Sequence, residues 1–418
     1  MGQAKEDYLK NEERGFLLKI NTFICEKHFE DSDILNYIKK NGEKEVECHF
    51  CKIADSYDEN SNQHYKIDSN ILLKGIIACI KRSFDDPANG LAFETKEGGY
   101  FGDTYTTFEL LNDVIQLEAD EEVVNYISDL ITQDNWTEAE FYGDSYHEKL
   151  SHLWYEFSTL IKHKVRYLFT EVNSNSLKHY ASNKPFDILN IIADFITKLN
   201  LVRTIPENTN LFNQTAVIYR ARQHKQIDGI KTYKDIGSPP STCSGANRFS
   251  AEGISMFYGA QTEATAIEEI INREKQNEYI TVAKFYPKTT LNLIDLRNTN
   301  QIGFFDFENI DLFESSLFLS SFLHQVSAKL DPDQNKRIEY VPSQVVTEYF
   351  KHVLQSKLNI TINGLVYKSV QNKGYDCYVI FAENEQCGDE LNSNDETLLI
   401  LKSYTLKAKK VLEFKTKN

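Results

Sequence analysis

The spacing of apolar residues changes near residue 203, and this change indicates at least two differently folded regions. Between Leu150 and Leu168 the apolar side chains recur with the period of an α-helix over several turns. After Pro206 the pattern becomes one of short β-type runs. The chain has 418 residues, which favours two or three domains at roughly 100 to 200 residues each.

Amphipathic stripes predict the helices of the first half, and β-branched and aromatic runs predict strands in the second. The helices of the first half are predicted at Ile71 to Ile80, Phe108 to Leu117, Val123 to Ile131, Leu150 to Leu168 and Phe186 to Leu199. In the second half, strands are predicted at Ala216 to Arg220, Ile254 to Gly259, Tyr279 to Tyr286, Leu291 to Leu296, Leu365 to Lys368, Tyr375 to Phe381 and Thr397 to Leu406, and helices at Thr262 to Asn272, Asp311 to Leu330 and Pro342 to Gln355. We therefore predict an α+β fold with a cysteine-containing region over 1–68, a helical domain over 69–202 and a mixed α+β domain over 203–418.

The charge balance disfavours nucleic acid as a partner. The chain carries 46 Lys and Arg against 62 Asp and Glu, a net charge of -16, and so acidic a surface repels phosphate backbones. We find no apolar stretch long enough to span a membrane and no signal segment at the start. We therefore expect a cytoplasmic protein with neither a membrane nor a specific nucleic acid as partner.

Two short metal-binding spacings occur near the start. Cys25 and His28 form the first and Cys48 and Cys51 the second, with nineteen residues between the pairs. A two-residue gap lets both side chains reach one tetrahedral ion, and four protein ligands would make the site structural. We predict zinc, with His49 as an alternative to His28 and unconnected thiols as the ordinary explanation. The other cysteines, Cys79, Cys243, Cys377 and Cys387, follow no ligand spacing and are interpreted as incidental.

Four segments of the second half combine arginine, aromatic, acidic and serine residues. They are Tyr219 to Arg222, Ala246 to Ser250, Gly253 to Ile270 and Glu339 to Phe350. Taken singly, an arginine is more often a surface ion-pair member, a tyrosine such as Tyr258 packs in a strand, and Ser343 beside Pro342 caps a helix. The order and the intervals, ten residues from Arg248 to Tyr258 and eleven from Tyr258 to Glu269, favour a shared site instead.

These segments resemble the RES domain, a family named for its Arg, Glu and Ser residues and found in NAD-consuming toxins of bacterial toxin-antitoxin systems. The resemblance covers about residues 205 to 385 and implies a fold similar to that of ADP-ribosyltransferases. The first half resembles the HEPN/RES N-terminal domain, from the cysteine region to the segment from Trp154 to Tyr167. His28 stands where that domain more often has Cys.

The resemblance implies an enzyme that uses NAD as its substrate and breaks the nicotinamide-ribose bond. This reaction passes through an oxocarbenium-like state, which calls for a carboxylate, cations for the pyrophosphate and a flat surface for the leaving ring. On this basis Glu269, Arg220 and Arg248 are the predicted catalytic residues. Tyr219, Tyr258 and Ser343 are the predicted substrate-binding residues, since Tyr258 could stack on nicotinamide and Ser343 could hold a polar group. Glu268 and Glu269 point about 100° apart on a helix, so only one can face the cleft.

The acceptor of the ADP-ribosyl group stays open among phosphate, water and a protein side chain, so NAD phosphorylase, NAD glycohydrolase and protein ADP-ribosyltransferase all fit. A HEPN-type ribonuclease needs an arginine followed by histidine after four to six residues, and none of Arg14, Arg82, Arg166 and Arg203 has one. A catalytically inactive, zinc-stabilised binding module is the remaining class. Because unrestrained loss of NAD is toxic, we expect a restraint: either an antitoxin or another inhibitory partner protein, as the resemblance implies, or the helical half folded across the cleft. The oligomeric state is open.

Overall fold

The computed structural model describes residues 10, 13–51, 64–96, 98–140, 143–167, 185–207, 216–297, 302–328, 330 and 334–414. Its internal contacts divide the chain into two units, Met1–Glu148 with Gln301–Leu317 and Lys149–Asn300 with Phe318–Asn418. We call these the N-terminal unit and the sheet unit. The predicted boundary at 202/203 lies inside the sheet unit, because Ile192 and Ile294 belong to the same apolar core.

The N-terminal unit consists of short helices and small sheets. Its helices are α1 (Ser32–Asn41), α2 (Ser69–Ser83), α3 (Thr107–Glu109, continued by a π-helical turn at Leu110–Val114) and α4 (Glu121–Leu130). Its strands are β1 (Phe23–Cys25), β2 (Lys66–Asp68), β3 (Phe84–Asp85), β4 (Phe93–Glu94), β5 (Gly99–Tyr100), β6 (Tyr105–Thr106) and β7 (Asn135–Glu138). Apolar residues at helical spacing, such as Ile76, Ile80 and Ile127, are fully buried in its core. Phe305 joins that core from the 301–317 segment.

The sheet unit is built around ten strands. They are β8 (Val202–Ile205), β9 (Ile218–His224), β10 (Phe257–Ala260), β11 (Tyr279–Pro287), β12 (Leu291–Asp295), β13 (Gly364–Lys368), β14 (Asp376–Ile380), β15 (Cys387–Asp389), β16 (Leu399–Leu401) and β17 (Lys407–Lys410). Their spatial order is β15-β16-β11-β9-β10-β14-β13-β12-β8, and β17 also pairs with β11. The β12–β13 and β15–β16 pairs are parallel and the others are antiparallel. The prediction of a mixed α+β fold is therefore confirmed.

The remaining helices include those that cover one face of this sheet. They are α5 (Tyr146–His163), α6 (Asp187–Lys198), α7 (Tyr233–Ile236), α8 (Glu263–Glu268), α9 (Phe313–Ser327), α10 (Lys336–Glu339), α11 (Val341–Tyr349, continued by a π-helical turn at Phe350–Leu354) and α12 (Gln355–Leu358). Trp154 of α5, Ile192 of α6 and Phe318 of α9 share a core with Val379 of β14. Because side chains alternate along a strand, Phe257 of β10 enters a different core from its neighbour Tyr258.

Several predicted elements are shorter than the sequence pattern suggests. Helix α5 ends at His163 although the apolar stripe runs to Leu168, which lies outside the described residues. Helix α8 stops at Glu268, and Asn272 lies beyond it in irregular structure. No helix in the described ranges is long and apolar enough to cross a membrane.

Candidate active site

Five of the predicted site residues meet at one cavity of the sheet unit. The cavity has a volume of about 470 Å³, and its lining includes Tyr219, Arg220, Arg248, Tyr258 and Glu269. A volume of this size is typical of a small-molecule site. The convergence predicted from the spacing of these residues is therefore present in the fold.

Arg220 is held in place by backbone carbonyls. Its strand, β9, pairs with β10 at Tyr219 and Ala260. The Tyr258 carbonyl of β10 accepts a hydrogen bond from Arg220 Nη1 at 2.6 Å. Arg220 Nε donates to the Ile236 carbonyl, also at 2.6 Å, and its guanidinium lies 4.7 Å from the centre of the Phe257 ring. Burial lowers the pKa of Arg220 to about 10, which still leaves the group cationic at neutral pH.

Arg248 projects from a tight turn. Asn247 and Ser250 exchange two backbone hydrogen bonds, of 2.9 and 3.4 Å, across this turn. Arg248 Nη1 donates to the carbonyl of Ser327 at 2.5 Å, and the guanidinium lies 5.9 Å from the centre of the Tyr340 ring. A second cation is thereby fixed at the same cavity.

Glu269 and Glu268 have different surroundings, as the helical geometry requires. Helix α8 begins at the N-cap Thr262, whose side chain accepts a hydrogen bond from the Thr265 backbone, and Glu269 follows its last residue. Glu268 forms an ion pair with Arg273 at 2.8 Å, whereas Glu269 lines the cavity and accepts a hydrogen bond from Ser369.

Two tyrosines supply aromatic surface. Tyr258 is half-buried, and its hydroxyl lies 2.9 Å from Ser250 Oγ. Burial raises the pKa of Tyr258 to about 12, so the ring carries a neutral phenol at physiological pH. Tyr219 is also half-buried, with the Lys284 ammonium 5.4 Å from the centre of its ring.

The charges at the cavity have no opposite partners in the part of the chain that the structure describes. Among the described residues, neither Arg220 nor Arg248 forms an ion pair with a carboxylate, and Glu269 forms none with a cation. By contrast, Arg297 in the same unit pairs with both Asp295 and Asp376 at 2.7 Å. Arg220 and Arg248 are half-buried and Glu269 is exposed at the cavity, so these charges are accessible to a ligand that bears both negative charge and developing positive charge.

Comparison with known families agrees with this arrangement. Residues 217–400 match the RES domain, and residues 40–175 match HEPN/RES N-terminal domain 1. The chain is a RES-domain protein. The RES family generally comprises NAD-acting enzymes with a toxin-like role. No curated protein and no solved structure matches the chain.

Ser343 of the RES domain stands behind the cavity wall. Its hydroxyl oxygen lies 2.5 Å from the carbonyl oxygen of Arg248 and 3.0 Å from that of Tyr340, and the residue is buried and absent from the cavity lining. The adjacent Gln344 amide donates to the carbonyls of Asn247 and Ser250 at 2.7 and 3.2 Å. The start of α11 therefore anchors the turn that carries Arg248, and the predicted contact of Ser343 with ligand has no counterpart in this arrangement.

The RES-domain cavity also has lining residues that sequence reasoning missed. They are chiefly Lys336, Tyr340, Tyr367, Gln371 and Cys377. Cys377, interpreted from the sequence as incidental, is buried at the cavity on β14. Tyr367 lies in the predicted strand Leu365 to Lys368, but strand character alone does not show that its side chain lines the site.

The predicted metal ligands come together in the N-terminal unit. Cys25, His28, Cys48 and Cys51 place their ligand atoms within 4.8 Å of one another. His28 Nε2 lies 3.4 Å from the sulfurs of both Cys48 and Cys51, and Cys51 Sγ lies 3.9 Å from Cys25 Sγ. Zn–S bonds of about 2.3 Å in a tetrahedron separate two sulfurs by about 3.8 Å, so this cluster could hold a metal ion.

Local structure builds this cluster from two directions. Strand β1 ends at Cys25, a 3-10 turn over Glu26–His28 brings His28 back, and the His49 backbone donates to the carbonyl of Phe23 at 2.8 Å. The imidazole of His28 is oriented by Asp120, whose Oδ2 lies 2.7 Å from Nδ1, the kind of outer carboxylate that metal-binding histidines commonly have. His49 is exposed and its ring contacts Phe50 and Tyr126 instead. The Cys25 side chain, and to a smaller extent the His28 ring, stabilise the Cys48 thiolate and hold the pKa of Cys48 well below its usual range.

Proposed function

We propose that the RES domain binds NAD in the 470 Å³ cavity and breaks the bond between nicotinamide and ribose. The observation that carries the proposal is the meeting at one cavity of two guanidinium groups, an aromatic ring and a carboxylate, whose charges have no opposite partner among the described residues. NAD presents the complementary groups: an anionic pyrophosphate, a planar base and a ribose that becomes cationic as its glycosidic bond breaks.

Each side chain has a definite task in this proposal. Arg220 and Arg248 bind the pyrophosphate, since a guanidinium has five donors and each here commits only one or two to backbone carbonyls. Tyr258 stacks on the nicotinamide ring. Glu269 stabilises the positive charge on the ribose, which develops only as the bond breaks, and such differential stabilisation is what accelerates a reaction.

The acceptor is phosphate, water or a protein side chain, and the same cavity serves all three. Incubating NAD with the full chain, with and without phosphate, separates them. ADP-ribose-1″-phosphate identifies phosphorolysis, ADP-ribose identifies hydrolysis, and labelled protein identifies protein ADP-ribosyltransferase activity, which a fold related to ADP-ribosyltransferases would accommodate. An NAD pool that stays constant under every condition contradicts the proposal.

We further propose that the metal at Cys25, His28, Cys48 and Cys51 is zinc in a structural role. Three thiolates and one imidazole favour zinc, and a full set of four protein ligands leaves no coordination position for substrate. The ion would tie β1 to the segment around Cys48. Metal analysis of the purified protein tests the assignment, with one zinc per chain as the expected result.

An enzyme that consumes NAD needs restraint in the cell, so we propose that an antitoxin or another inhibitory protein binds this chain. We also propose a cytoplasmic location. Co-purification from the native host with Glu269→Gln, which should be tolerated at native levels, tests for such a protein. The expected result is a stoichiometric companion whose addition stops NAD cleavage. A Glu269→Gln chain that purifies without a companion argues against external restraint.

A further inference from the structure

Glu269 occupies a position that does not by itself orient its carboxylate. The residue follows the last residue of α8 and is exposed. Its backbone N–H still bonds to the Thr265 carbonyl at 3.1 Å, but a glutamate side chain has several accessible rotamers beyond that point. A carboxylate that must face a ribose at one angle therefore needs a second group to hold it.

Ser369 provides that group. Its Oγ lies 2.5 Å from Glu269 Oε1, a length typical of a hydroxyl that donates to an ionised carboxylate. The same Oγ accepts a hydrogen bond from the backbone N–H of Asn372 at 2.9 Å. Because that N–H occupies a lone pair and an ionised carboxylate has no hydrogen to offer, the hydroxyl hydrogen of Ser369 is directed at Glu269.

The loop that carries Ser369 is bonded back to helix α8. Ser369 is 4% exposed, and its backbone N–H donates to the Tyr375 carbonyl at 2.9 Å, which closes the loop between β13 and β14. The Asn372 side chain donates to Thr265 Oγ1 at 2.9 Å, and both of these residues are buried. Loop and helix are thus joined at two points, one of which is the Glu269 carboxylate itself.

Cys377 adds a neutral neighbour to this contact. Burial raises the pKa of the Cys377 thiol to about 12, and the nearby Glu269 carboxylate raises it as well. The thiol therefore keeps its hydrogen at physiological pH and does not place a second negative charge beside Glu269. Cys377 and Glu269 line the 470 Å³ cavity, whereas Ser369 is absent from that lining and borders a neighbouring cavity of about 510 Å³.

We propose that Ser369 is a positioning residue for NAD cleavage, whose hydroxyl holds the Glu269 carboxylate in the orientation that stabilises the ribose cation. The inference rests on the proposed function, because it assigns a task to Glu269 in that reaction. It is distinct from a contact with ligand in the 470 Å³ cavity, since Ser369 is not among the residues that line that cavity.

Steady-state kinetics of nicotinamide release by the full chain test the inference. Ser369→Ala is expected to lower kcat about 10- to 100-fold, the range for one lost hydrogen bond to a charged group, while KM for NAD changes less than about threefold. Ser369→Thr keeps the hydroxyl and should restore most of kcat. In a Glu269→Gln background Ser369→Ala should cost less than about twofold more, because two residues that act as a unit are not additive.

A matched control is Thr281→Val, which removes a buried hydroxyl bonded to His224 at 2.7 Å elsewhere in the same sheet and leaves the volume unchanged. Its kcat should equal that of the wild type. If Ser369→Ala does not fold, Ser369→Cys replaces it, because a thiol fills the space but donates weakly. Wild-type kcat in the folded variant, or a change confined to KM, overturns the inference while the proposed function stands. A wild-type chain that releases no nicotinamide overturns both.

Discussion

Replacing Arg220 with methionine tests whether this cation serves the fold, the ligand or both. Methionine approximates the length of the arginine but removes the two donors that satisfy the carbonyls of Ile236 and Tyr258. A buried carbonyl left without a donor costs about 1–3 kcal/mol. Arg220→Met should therefore lower the free energy of unfolding of the sheet unit by about 2–6 kcal/mol, a large part of the 5–15 kcal/mol that is typical of a domain.

Arg222→Met is the matched control for this change. Arg222 lies two residues further along β9, so it points to the same face of the strand, and its Nη1 donates to the single carbonyl of Asp235. Arg222 is not in the cavity lining. Its replacement should cost about 1–3 kcal/mol and leave NAD cleavage unchanged.

The assay combines urea unfolding, followed by circular dichroism, with NAD turnover measured where both variants remain folded. Arg220→Met is expected to lower kcat/KM for NAD by at least about 100-fold, since it removes both a cation and a charge-assisted contact with pyrophosphate. Turnover within threefold of wild type in folded Arg220→Met would refute the assignment of this guanidinium to the substrate. If Arg222→Met lowered kcat/KM for NAD as much as Arg220→Met does, the loss of activity would be attributed to reduced stability alone.

Three further outcomes follow from the geometry. Ser343→Ala should lower kcat/KM about tenfold, because the Arg248 carbonyl loses a hydroxyl donor; unchanged kinetics would mean that the turn holds without it. Cys51→Ser, or removal of the metal by a chelator, should lower the Tm by at least about 10 °C, because several kcal/mol of folding free energy come from metal binding and each kcal/mol changes the Tm by about 2–4 °C. An unchanged Tm would show that the cluster carries no structural metal. Burial raises the pKa of Tyr258 to about 12, against about 10 when unfolded, so its contribution to stability is present below pH 10 and lost as pH rises to 12. Tyr258→Phe should lessen that loss in pH-dependent unfolding, and equal pH dependence would contradict the shift.

The sequence predicted the site well where residue spacing alone determines the direction in which a side chain points. Successive helical residues differ by about 100°, which separates Glu269 at the cavity from Glu268 in its ion pair with Arg273. Ser343 shows the limit of such reasoning. A hydroxyl in the first turn of a helix can point outward or donate to a nearby carbonyl, and its partner here, Arg248, lies 95 residues earlier in the chain.

Three features of the fold were not predicted from the sequence. Helix α1 was overlooked between the two ligand pairs, although Asp31 caps it and Ile34 and Ile38 are buried on one face. The strand predicted at Thr397 to Leu406 stops short of the lysine-rich segment Lys407–Lys410, whose backbone nevertheless pairs with β11, because ladder hydrogen bonds do not depend on side-chain polarity. Membership of residues 301–317 in the N-terminal unit could not be inferred from local pattern either.

The most direct test of the central claim compares nicotinamide release from NAD by the wild-type chain, Glu269→Gln and Glu268→Gln. The two substitutions are adjacent and chemically identical, and only Glu269 lines the cavity. We predict that Glu269→Gln lowers kcat at least about 100-fold, whereas Glu268→Gln weakens one half-buried ion pair outside the cavity and turns over NAD within about twofold of wild type. Equal activity in the two variants, or no release of nicotinamide by the wild type, would contradict the account.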